Sequence, residues 1–198
     1  MPTGVAIRDV REQLFDAAER VLLRSGPNAL TSRAVTTEAG CAKGVLHRHF
    51  ADFDAFLEEL VRDRIARVDA RGAALCATAG TGTVADRVTG ALTDLFGSVA
   101  LAILGLVTAR DTLRARLRAT TPVGLPVLTE AGTALTAYLT AERDLGRLTP
   151  DADVDTLALT LIGSGHLLFA GREGARPPAD EVRRVVGTVL AGVLPPSS

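Results

Sequence analysis

Lys43, Gly44, His47 and Arg48 fall within little more than one turn of a helix, so the three basic side chains share an outward face. Cationic and imidazole donors beside a residue with no side chain suit a phosphodiester backbone. They supply charge for phosphate, donors for base edges, and a gap through which the main chain can approach. Taken alone, such charges are also what any solvated helix carries, and Gly44 also reads as a tolerated helix glycine. The elements around them decide between these readings.

The periodicity is helical nearly everywhere, and alternating runs bounded by hairpin turns are absent. From near Arg8, apolar residues recur at Val10, Leu14, Ala17, Ala18, Val21 and Leu22, and this helix stops at Ser25-Gly26-Pro27. A short helix follows over 31–39 with Thr31 at its cap, then a turn at Gly40, then a second short helix over 42–50. Ala34, Val35, Ala39, Val45 and Leu46 face inward in this arrangement, and Lys43, His47 and Arg48 face out. Asp52 is the natural cap of a long helix carrying Phe56, Leu60, Val61, Ile65 and Val68. Two short helices joined at a glycine between longer ones make a helix-turn-helix.

Residues 11–56 resemble the DNA-binding domain of TetR-family transcriptional regulators. The matching runs are Leu14-Phe15-Asp16-Ala17-Ala18, Gly26-Pro27-Asn28-Ala29-Leu30-Thr31-Ser32-Arg33 and Glu38-Ala39-Gly40. A fourth is Lys43-Gly44-Val45-Leu46-His47-Arg48-His49-Phe50. The resemblance covers about the first sixty residues. It implies that Thr31, Arg33, Lys43, Gly44, His47, Arg48 and His49 face DNA. For His49 a structural part, tying the helix end to its neighbours, stands equally open.

Departures from the family pattern are informative. Ala42 stands where the family usually has a capping Ser, His47 where it has Tyr, and Phe53 where it has Lys. Each lost phosphate contact makes log K against log salt shallower by about 0.9. Cys41 stands where Val is usual and reads as a small buried hydrophobe rather than a redox switch.

Charge is partitioned in the same sense. The chain has 22 basic and 23 acidic residues, a formal charge of −1. Residues 1–50 hold 7 basic against 5 acidic side chains, leaving 15 against 18, so a head of +2 precedes a body of −3. Lys43 is the only lysine.

Beyond a Gly- and Thr-rich break at 80–83, further helices are expected at roughly 83–97, 99–118, 125–145, 153–170 and 180–194. The fold expected is therefore all-α, with about nine helices in two domains. Residues 8–68 form the helix-turn-helix domain, with its motif at about 31–50, and residues 69–198 a ligand-binding and dimerisation domain. Residues 99–107 are apolar on every face and lie inside. Phe96, Leu104, Leu128, Leu135, Tyr138, Leu161, His166 and Phe169 are the candidate lining of an effector pocket, and core packing is the competing reading for each. With so few polar groups, the effector expected is small and lipophilic or amphipathic.

The last two helices suit self-association. Val182, Val185, Val186, Val189 and Val193 form one stripe, and Leu157, Leu161 and Leu168 lie on the preceding helix with Gly163 and Gly165. A two-fold four-helix seam is the reading, against packing of the stripe within one chain. The segment 122–126 is a candidate hinge.

Other classes fall away. Two cysteines cannot staple the fold or complete a zinc site. No nucleophile–base constellation, metal-spaced histidine pair or phosphate-binding glycine loop is present, so neither an enzyme nor a cofactor is expected. No secretory segment follows Met1, and the apolar stretch 98–109 is shorter than the about 20 residues a membrane span needs. The expectation is a cytoplasmic, nucleoid-associated homodimeric repressor that binds a palindromic operator and a small effector. The alternative is a helical small-molecule-binding protein with a degenerate DNA-binding head.

Overall fold

A computed structural model of the chain describes residues 10–97, 99–119, 122–170 and 176–195. Every regular element among them is helical. In chain order they are α1 (Val10–Ser25), a 3-10 turn (Pro27–Ala29), α2 (Ser32–Glu38), α3 (Gly44–His49) and α4 (Phe53–Cys76). Then follow α5 (Val84–Phe96), α6 (Ala100–Ala109), α7 (Asp111–Leu117), α8 (Leu128–Asp144), α9 (Val154–Ala170) and α10 (Ala179–Leu190). The expected helix start at Arg8 and parts of the breaks expected at 120–122 and 171–178 lie outside the described residues.

Ten α-helices stand where about nine are expected, because the single helix anticipated over 99–118 is two. Arg110 interrupts it with extended backbone, φ −128° and ψ 100°. Its guanidinium donates to the Leu30 carbonyl at 2.7 Å, a partner out of reach of a periodicity argument.

The chain folds as two compact units that are not contiguous in sequence. One comprises residues up to Asp63 with Ala102–Val123, and the other Arg64–Leu101 with the residues from Gly124 onward. α4 runs from the first into the second.

The first unit is built on α1, whose Leu14, Phe15, Ala17, Ala18, Val21 and Leu22 are all buried. Four of the six phenylalanines gather here. Phe50 meets Phe56 edge-on at 5.0 Å, and Phe15 lies within 6 Å of both. Asp52 caps α4 by accepting the Ala55 amide at 2.6 Å, and its carboxylate also meets Arg116 of α7 at 3.3 Å.

In the second unit α8 packs on α9, and α5 and α10 pack on each other and on α9. Gly165 permits the close approach of α9 and α5, since a Cβ there would stand 2.7 Å from the Phe96 ring. Val182, Val186 and Leu190 of α10 are buried. No single described helix is long and apolar enough to cross a membrane.

Candidate nucleic-acid interface and effector groove

The helix-turn-helix is set by local hydrogen bonds. Thr31, extended, accepts the Ala34 amide at 3.1 Å and so caps α2. α2 ends at Gly40, whose φ of +66° is the left-handed conformation that favours glycine. The Gly40 amide donates to the Thr37 carbonyl at 3.1 Å, and the Cys41 amide to that of Thr36 at 3.0 Å. These two bonds are the paired closure of a Schellman turn. They aim the chain into α3.

Charged groups then tie α2 to α1. Arg20 and Arg24 meet the two Glu38 oxygens at 2.8 and 2.9 Å, and their hydrogen bonds hold that carboxyl below its ordinary range. Gln13 donates to the Ala39 carbonyl at 2.9 Å. Val35, Ala39 and Leu46 are buried, and Ala34 and Val45 half-buried, on the face expected to point inward.

Thr31, Arg33, Lys43, Gly44, His47, Arg48 and His49 are all exposed. A Cβ built on Gly44 would meet nothing within 4 Å, so that end of α3 is open to a close neighbour. The arrangement offers a short helix bearing His47, Arg48 and His49, with Lys43 at its cap position, backed by an apolar core. Cys41 is half-buried. Residues 14–60 match the family of bacterial regulatory proteins, tetR family.

The chain carries a tetR-family domain. That match is to the helix-turn-helix end of the chain, and the fold of the whole chain is similar to those of several solved structures. Reduced NemR of E. coli is 16% identical, with a TM-score of 0.76 over 96% of this chain and 100% of that one. A TetR transcriptional regulator of Streptomyces coelicolor is 25% identical, with 0.63 over 94% and 99%. The fatty acid degradation regulator FadR of Bacillus halodurans is 17% identical, with 0.69 over 97% and 98%. No curated protein matches the chain in sequence.

The second unit contains a groove of about 320 Å³ between α4 and α5, floored by α8 and α9. Val68, Leu75, Leu92, Leu95, Leu135 and Ile162 supply its apolar surface, with small residues such as Gly90, Ala91 and Ala134 between them. Arg71 of α4 crosses to α5, donating to the Asp94 carbonyl at 3.4 Å. Of the residues expected to line a pocket, Leu135 lies in this groove. Phe96 instead stacks on His166 and packs against Phe169, and Tyr138 and Leu161 are wholly buried. Leu104 is buried in α6, and Leu128 is half-buried at the start of α8. The groove was not legible in the sequence because missing side chains form it, and small residues carry no periodic signal.

Of the expected seam, Leu161, Val182 and Val186 are buried within the unit, and Leu157, Leu168, Val185, Val189 and Val193 are half-buried. Other leucines of α9 are more exposed than these. Leu159 is 73% exposed and Leu167 78%, on the same face as the open Gly163.

Proposed function

We propose that the protein is a ligand-responsive transcriptional repressor that binds a palindromic operator as a homodimer. The observation that carries this reading is the row of exposed basic residues on α3, held by α1 and α2 in a matched tetR-family domain. Lys43, His47, Arg48 and His49 enter the major groove, with Gly44 at the close approach, while Thr31 and Arg33 meet the backbone. Two heads related by a two-fold axis read half-sites about 34–36 Å apart. The protein acts in the cytoplasm, on the nucleoid, and is not an enzyme.

The two copies join through α9 and α10. The exposed Leu159, Gly163 and Leu167 line lies beside the half-buried Leu157, Leu168, Val185, Val189 and Val193 in this seam, which buries them.

The groove takes a small lipophilic or amphipathic effector. Its wall includes the C-terminal half of α4, the helix shared by both units, so an occupant acts on the element that leads to the head. Release from DNA equals the effector's preference for one head spacing over the other, on the order of 1–3 kcal/mol or 5–150-fold. The stretch 122–126, where the chain passes between units, is the hinge.

Selection of duplexes from a random pool by the full chain tests this reading. A palindromic site with half-sites one turn apart is expected, and failure to enrich any sequence overturns it.

A further inference from the structure

The recognition helix α3 has six residues, too few to be stable by itself. Its N-terminal end has no side-chain cap. Lys43 occupies the cap position in helical conformation and makes no capping hydrogen bond, and Ala42 before it has no side chain able to make one. The Phe50 amide closes back on the Leu46 carbonyl at 3.0 Å, but the carbonyls of the last turn still need partners.

Arg11 of α1 reaches that end. Its Nη1 donates to the His49 carbonyl at 3.3 Å, and its guanidinium carbon stands 4.6 Å from the centre of the Phe50 ring. The same guanidinium forms an ion pair with Glu59 of α4. A cation at the C-terminal end of a helix also meets the negative end of its dipole. One planar group therefore joins α1, the end of α3 and α4, and Phe50 beneath it is locked by Phe15 and Phe56.

We propose that Arg11 is a positioning residue for DNA recognition, acting through the His49 carbonyl and the Phe50 ring to hold the angle of α3. The proposal rests on the DNA-binding reading of that helix. Arg11 spends its charge on Glu59 and not on a phosphate. Loss of Arg11 lets α3 fray from its C-terminal end, where His47, Arg48 and His49 lie. Sequence-specific binding needs those side chains in one register, whereas binding to phosphates alone tolerates the fraying.

The test uses the full chain, a duplex that the wild type selects from a random pool, and a scrambled duplex of equal length. Arg11→Gln is expected to bind the selected duplex about tenfold more weakly, the worth of one charge-assisted hydrogen bond. Its affinity for the scrambled duplex and its salt slope should stay unchanged. Glu59→Gln, which removes the anchor of the guanidinium, is expected to weaken selective binding in the same direction. In the free protein, amide exchange of Arg11→Gln should quicken over 46–50 and not in α1.

A direct phosphate contact predicts the opposite pattern. Both duplexes would weaken, the salt slope would fall by about 0.9, and Glu59→Gln would tighten binding by removing a competing anion. Any of these overturns the proposal, as does unchanged exchange over 46–50. A wild type that selects no duplex overturns the DNA reading and this role with it. Selection left intact in Arg11→Gln overturns the role alone.

Discussion

The Glu142 carboxylate is wholly buried and meets the Arg147 Nε at 2.6 Å. Glu142 also accepts the Gly80 amide at 3.3 Å, and Arg147 donates to the carbonyls of Gly80 and Gly82. The pair thus fastens the α4–α5 turn to the end of α8. Removing Arg147 leaves the Glu142 charge buried without its counter-ion, which costs more than the pair contributes. Arg147→Ala should lower stability by about 3 kcal/mol, measured as a shift in urea midpoint at constant slope.

Tyr138 lies in the same buried cluster. Burial, and beyond it the neighbouring Glu142 carboxylate, pushes its phenol above the ordinary value. The unfolded chain ionises at about pH 10 while the folded chain keeps the phenol neutral. Stability from this group is therefore full below about pH 10 and is lost as pH rises above it. Tyr138 is the only tyrosine, so tyrosinate absorption during alkaline unfolding reports this residue alone. Tyr138→Phe should abolish the absorption change and blunt the alkaline loss of stability.

Arg48 is exposed near the end of α3. Arg48→Ala should weaken binding to a selected duplex, and if the side chain meets phosphate the salt slope falls by about 0.9. If it reads a base instead, the slope holds and discrimination at one position relaxes by about 1–3 kcal/mol. Titration at several salt concentrations separates the two, and unaltered binding removes Arg48 from the interface.

Leu159 and Leu167 expose apolar surface on one face of α9. The double variant Leu159→Glu, Leu167→Glu places like charges opposite each other in a two-fold seam. If the proposed seam joins two copies, the wild type should sediment as a dimer and this variant as a monomer at the same concentration, with helix content retained. A variant that still dimerises places the seam elsewhere.

Gly90 lines the groove, and a Cβ there meets nothing within 4 Å. Gly90→Leu can therefore fill the groove without a clash at its first carbon, and it removes a helix-weakening glycine. The variant should lose binding of a hydrophobic anilinonaphthalene dye while its melting temperature holds or rises. Undiminished dye binding would point away from this groove as the effector site.

The extent to which these features are legible in sequence differs by element. The turn at Gly40, the Thr31 cap and the Asp52 cap follow from residue type and spacing, since each is completed within about four residues. The break at Arg110 is not, because it depends on a carbonyl eighty positions away in the chain. Arg11 shows the same limit: its spacing places it on α1, but nothing local pairs it with His49 and Glu59. Phe96 and His166 read equally well as pocket or core, and their stacking against each other emerges only when α5 meets α9.

By itself the sequence determined the helical class, the order of the elements and the exposed basic row on α3, because helix periodicity, capping and turn chemistry act over a few residues. Tertiary structure alone decided that residues 102–123 join the N-terminal unit. It also decided that small side chains open a groove between α4 and α5, and that Leu159 and Leu167 are the exposed leucines of α9. The physical reason is that an apolar stripe states only that a face must be covered. Which neighbour covers it depends on the shape and distance of helices far apart in sequence.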